Sequence, residues 1–140
     1  MDPLSVAASV VGLLTASAKV CTLLEHLSSV QECPATIQDA RTEVKHAELA
    51  LQSLQRYLQR LDLVDPQRAA LIQIDELRVV LSDAMLAFSE FESLLQLLGS
   101  MARMRVSITW VRYSKKIDEH RNKIQRYIAS LNLMLGILQW

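Results

Sequence analysis

Along most of this 140-residue chain, apolar residues recur in steps of three and four. That spacing puts them on one side of a helix turning once every 3.6 residues, and it does not suit a strand. One run is Ile37, Ala40, Val44, Ala47, Leu51, Leu54, Leu58 and Leu61, with Glu43, Lys45, Arg56 and Arg60 on the opposite side. A second is Ile74, Leu77, Leu81, Ala84, Phe88, Phe91, Leu95 and Leu98, widened by Leu71, Ile72, Val80, Met85, Leu94 and Leu97. The width of this stripe predicts a central helix touching two neighbours. A third is Trp110, Tyr113, Ile117, His120, Ile124, Tyr127, Leu131, Met134 and Leu138.

Punctuation between the stripes sets the expected boundaries. Asp2-Pro3 supplies a capping carboxylate and a proline at a first helical position, opening a first helix that runs to about Leu27. Ser28 to Cys33 reads as a linker, and Pro34 suits the first turn of a second helix ending near Leu61. Asp65-Pro66 repeats the opening device for a third helix, with a possible break near Gln73 and Gly99 as its C-terminal stop. A fourth helix starts between Ala102 and Ile108. The expectation is one all-α domain over residues 1–140, an elongated bundle of about four long antiparallel amphipathic helices. At about 1.5 Å per residue, helices of this length make a rod roughly 40–50 Å long. The last stripe runs to Gln139-Trp140 without a polar tail, which suggests a domain of a longer multidomain protein.

Three glycines leave no material for phosphate-binding loops or a nucleophile elbow, so no catalytic residue and no cofactor is expected. Glu43-Val44-Lys45-His46 is a single Glu-x-x-His, whereas a di-iron bundle needs two, and Cys21, His26 and Cys33 lack zinc-ligand spacing. No metal is expected, and the two cysteines read as thiols. Net charge is zero but unevenly spread: Met101 to Arg126 carries eight basic residues against Asp118 and Glu119, a net of +6, and the remainder carries −6. A basic stretch of this kind is ordinarily a solvated helix face, and it also suits an acidic partner or anionic lipid. Trp110 and Tyr113 lie on the buried stripe, and no nucleic-acid-reading motif is present, so nucleic acid is not an expected partner.

The first helix is unlike the others. From Pro3 to Ala18 it has sixteen residues without a charge. Asp2 stands where a signal peptide would be basic, and sixteen residues fall short of the roughly 20 that span a bilayer. Ala8, Gly12 and Ala16 recur every four residues as a small-residue strip that another helix can approach closely.

Met1-Asp2-Pro3-Leu4-Ser5-Val6-Ala7-Ala8-Ser9-Val10-Val11-Gly12-Leu13-Leu14, followed by small residues up to Lys19-Val20, resembles the opening of fungal HeLo-like N-terminal domains. The basic last helix, from Trp110 with Lys115-Lys116, is similar to the family pattern. These domains head fungal NLR-like proteins and are related to the HeLo domain of HET-S-type incompatibility proteins and to the mixed-lineage-kinase-like four-helix bundle. The resemblance implies a cell-death effector that permeabilises membranes, cytoplasmic at rest and at the plasma membrane when activated. It implies self-association driven by C-terminal sensor or repeat domains. The first helix would then insert through Leu4, Val6, Val10, Val11, Leu13 and Leu14, pack through Ala8, Gly12 and Ala16, and leave Arg103, Arg105, Arg112, Lys115, Lys116 and Lys123 to hold anionic lipid. The rival expectation is a helical interaction or oligomerisation module without membrane activity.

Overall fold

The computed structural model describes residues 3–30, 32–64 and 74–138. They form four helices: α1 Pro3–Ser28, α2 Ala35–Val64, α3 Ile74–Arg103 and α4 Trp110–Leu138. No strand occurs among the described residues, so the all-α bundle expected from the periodicity is the observed architecture. The helices are 26 to 30 residues long, which at about 1.5 Å per residue makes each about 40–45 Å. Asp2, Asp65-Pro66 and the expected break near Gln73 lie outside the described residues.

The stripes become the core. Ile37 through Leu58 of α2 and Leu77 through Leu98 of α3 are buried at every stripe position. In α4, Ile117, Ile124 and Leu131 are buried, while Trp110, Tyr113, Tyr127 and Met134 are half-buried at its edge. The side chains of Leu61, Ile74 and Leu138 lie outside the described residues. Each fully buried leucine contributes about 1.5–3 kcal/mol relative to exposure, so hydrophobic burial is what holds long helices with few other ties in place.

Periodicity says which side of a helix is buried but not against what. Here α1 packs on α2 and α3, and α4 packs on the same two, giving the cyclic order α1, α2, α4, α3. Every helix has two principal neighbours, so the wide stripe of α3 does not make it more central than the rest. Direction follows from paired positions. A Cβ on Gly12 would meet Met85 Cε at 3.0 Å, and Lys19 Nζ lies 3.7 Å from Glu92 Oε1. Both members of the second pair are seven residues further along, so α1 and α3 run parallel. By contrast, Glu25 accepts from Arg41 at 3.0 Å across the short turn from α1 to α2. Phe91 stacks on His120, and Lys123 lies 3.6 Å from Glu90, as antiparallel α3 and α4 require. These exposed ion pairs contribute roughly 0–1 kcal/mol each, so they report the register more than they enforce it.

Gly99 does not stop α3, which continues through it to Arg103. The end is made instead by Arg105, whose φ of 57° is left-handed. Its N–H donates to the Ala102 carbonyl at 3.2 Å, and the Val106 N–H donates to Met101 at 2.9 Å. That pair of bonds is a Schellman motif built on a residue other than glycine. Leu95, Leu98 and half-buried Met101 carry the packing past Gly99, which outweighs the roughly 1 kcal/mol that glycine costs a helix. Nothing lies within 4 Å of a Cβ at position 99. Gly99→Ala should therefore stabilise the bundle by about 0.5–1 kcal/mol, seen as a higher urea midpoint with unchanged slope. A glycine acting as a left-handed stop would give the opposite sign.

Candidate functional site

In a water-soluble bundle each helix normally sets a polar face against solvent. On α1 the outward positions Ala8, Val11, Thr15 and Ala18 carry no charge, and the first one comes at Lys19. Val6–Ser28 is long and apolar enough to cross a membrane by length and composition. A core helix can pass the same test, but only 28 % of the residues in the most apolar window of α1 are buried. The helix thus combines an apolar composition with a core-packed inner face and an outer face that is uncharged over its N-terminal half. Its hydroxyls do not make it polar outside, since Thr15 and Thr22 donate back to the Val11 and Ala18 carbonyls at 3.0 Å.

The residues expected to insert divide between two faces. Val6, Val10 and Leu13 belong to the core, Leu14 is half-buried and Val11 is exposed. The side chain of Leu4 lies outside the described residues. In the small-residue strip, Gly12 and Ala16 are half-buried and Ala8 is exposed. Gly12 provides the close approach to Met85. Ser17, which counts as a polar interruption in the sequence, is fully buried and donates to Leu14 O at 2.9 Å. Between α1 and α3 runs an open groove of about 700 Å³ lined by Val11, Leu14, Thr15, Ala18, Leu23 and Gln96, with Lys19 and Glu92 also on its lining.

The basic residues lie apart from that groove. Arg103, Arg105, Arg112, Lys115 and Lys116 are exposed, whereas Lys123 is half-buried and faces Glu90. Arg112 lies 5.8 Å and Lys116 5.9 Å from the centroid of the Tyr113 ring, so both cations gather at one aromatic side chain. Sequence reasoning missed Met104, Val106 and Val111, which are exposed among these cations. The signal was present as Arg103-Met104-Arg105-Val106 and Val111-Arg112, apolar residues set beside basic ones where no helical stripe accounts for them.

The remaining chemistry is spare. Among the described residues no group of three or more His, Cys, Asp or Glu could hold a metal ion. Cys21 and Cys33 are free, and burial pushes the Cys33 thiol up, away from a reactive thiolate. His120 stacks on Phe91 with ring centroids 5.4 Å apart and planes 15° from parallel, and its buried Nδ1 has no partner. Burial and then Lys123 hold the imidazole below its ordinary value of 6.5, against an upward pull from Glu90 and Glu119. The unfolded chain therefore takes up this proton first, and the contribution present above about pH 6.5 is lost on acidification. Lowering the pH from neutral into the acidic range should reduce the urea midpoint more in the wild type than in His120→Phe, which keeps the stack without the titration. Equal losses in both proteins would remove His120 as the cause.

No protein-family model, curated protein or solved structure matches this chain.

Proposed function

We propose that this bundle is a membrane-targeting effector whose first helix enters lipid after the domain self-associates. The observation that carries the reading is the outward face of α1, uncharged from Ala8 to Ala18, on a helix of spanning length. In the resting bundle Val6, Val10 and Leu13 are satisfied by the core, and in a bilayer the same side chains are satisfied by acyl chains, so the helix has two environments that suit it. Gly12 and Ala16 then give neighbouring copies of α1 a surface for close packing. Lys19 and Glu25 are the groups that resist deep insertion, and both lie in the C-terminal half of the helix. The resemblance to HeLo-like domains supplies the biological setting: an N-terminal cell-death effector of a fungal NLR-like protein, cytoplasmic until a C-terminal sensor drives assembly at the plasma membrane. No catalytic step is assigned to it.

The test is dye release from phosphatidylcholine vesicles with and without phosphatidylserine, using the chain alone and the chain forced to oligomerise by a fused trimeric coiled coil. Release from the anionic vesicles on oligomerisation is the expected result. Absence of both binding and release in the oligomer would remove the membrane role.

One observation favours a second reading. The α1–α3 groove, with Val11, Leu14 and Leu23 along it, suits the apolar stripe of a further helix, so the domain would act as an interaction or oligomerisation module without touching lipid. Concentration-dependent self-association, blocked by Val11→Asp and indifferent to vesicles, is its signature.

A further inference from the structure

Because α1 and α3 run parallel, the turn from α1 to α2 and the turn from α3 to α4 share one end of the rod. The two turns meet there around a cleft of about 500 Å³ lined in part by Val30, Glu32, Arg105, Val106 and Trp110. Met104, Val106 and Val111 project from this end with exposures of 73 %, 49 % and 89 %. Arg103, Arg105 and Arg112 are exposed among them, with Lys115 and Lys116 behind. No acidic residue occurs between Glu92 and Asp118, and Glu32, across the cleft, is the acidic group facing this array. The turn is held in shape by the Schellman bonds at Arg105, so the apolar side chains are presented without ordering a loop first.

We propose that this end is the docking surface for an anionic lipid bilayer, with Met104, Val106 and Val111 entering the headgroup boundary and the five surrounding cations meeting lipid phosphates and carboxylates. Chemistry favours lipid over a protein partner. Each exposed apolar side chain is next in sequence to an exposed arginine, Met104 to Arg103 and Arg105, Val106 to Arg105 and Val111 to Arg112, an arrangement that suits shallow insertion into an anionic interface. A protein anchor would call for a concave apolar pocket, and the nearby cleft is lined by Glu32, Arg105 and Ser107 as well as apolar groups. The proposal rests on the membrane-targeting reading and adds an orientation to it: the rod meets the bilayer end-on, and α1 arrives with its Ser28 end toward the lipid.

The experiment is co-sedimentation of the 140-residue chain with phosphatidylcholine vesicles, with and without phosphatidylserine. The wild type is compared with Met104→Ser/Val111→Ser, with Arg103→Glu/Arg112→Glu, and with Arg56→Glu/Arg60→Glu, which makes the same charge change on exposed positions of α2. All substituted positions are exposed, so the variants should fold, as circular dichroism and thermal melting will verify. Binding that requires phosphatidylserine, falls about tenfold or more in either end variant and changes little in the α2 variant supports the proposal. Phosphatidylserine-dependent binding equal in all four proteins overturns the docking end while leaving the membrane reading standing. No binding by the wild type, alone or oligomerised, overturns both, as a surface made for a protein partner would.

Discussion

Val10→Asp should remove a large part of the bundle's stability, whereas Ala18→Asp, two turns along the same helix, should fold normally and lose membrane leakage. Val10 is completely buried among the core residues, so an aspartate there loses apolar contacts and strands a carboxylate without a partner. That combination costs on the order of 4–5 kcal/mol or more, a large part of the 5–15 kcal/mol a domain has. Ala18 is exposed, and substituting it should cost within about 1 kcal/mol, mostly helix propensity. In lipid the ranking reverses. Ala18 lies near the middle of the apolar stretch Val6–Ser28, where an aspartate adds about 2.5–3.5 kcal/mol to insertion, roughly a hundredfold fewer inserted helices. Circular dichroism separates the folding effects and dye release reads insertion. Undiminished leakage from folded Ala18→Asp would show that α1 does not enter the bilayer.

Phe91→Ala is the second large effect. Phe91 is fully buried in α3 and is the largest such side chain among the described residues. Truncating it should cost about 3–5 kcal/mol in urea unfolding, from lost transfer energy and the cavity left behind. Its contact with His120 adds a smaller term. A double-mutant cycle with His120→Ala should give a coupling of about 0.5–1.5 kcal/mol. A loss below about 1 kcal/mol for Phe91→Ala would mean that α3 and α4 do not pack through this ring.

These contrasts show what the sequence could and could not convey. The α2 and α3 stripes are legible because a strict three-and-four spacing leaves only one side of a helix to bury, and Leu51, Leu54, Leu95 and Leu98 are buried as that spacing requires. The end of α3 was hidden because Gly99 looks like a stop, while the residue that takes the left-handed conformation, Arg105, has no compositional mark. The adjacency of α1 and α3 was hidden too, since the stripes say which side of each helix is buried but not which helix covers it. For the candidate site, the uncharged run of α1 was plain, and Val6, Val10, Leu13, Val20, Leu24 and Leu27 keep the three-and-four spacing that buries them and leaves Val11 outside. A bundle core and a bilayer reward the same side chains, so composition alone cannot say which residues serve which environment. The exposed end formed by Met104, Val106 and Val111 was overlooked because short apolar interruptions in a basic run belong to no helical period.

The parallel register of α1 and α3 also fixes where the chain enters and leaves the rod. Pro3 and Leu138 both lie at the pole opposite Met104, about 40 Å away if the helices are near-parallel. Cargo fused at either terminus therefore starts out distal to the docking turn. A fluorophore placed there serves as a ruler: energy transfer to labelled lipid should be weak on first contact and rise only when the helices reorient, timing docking and insertion as separate events.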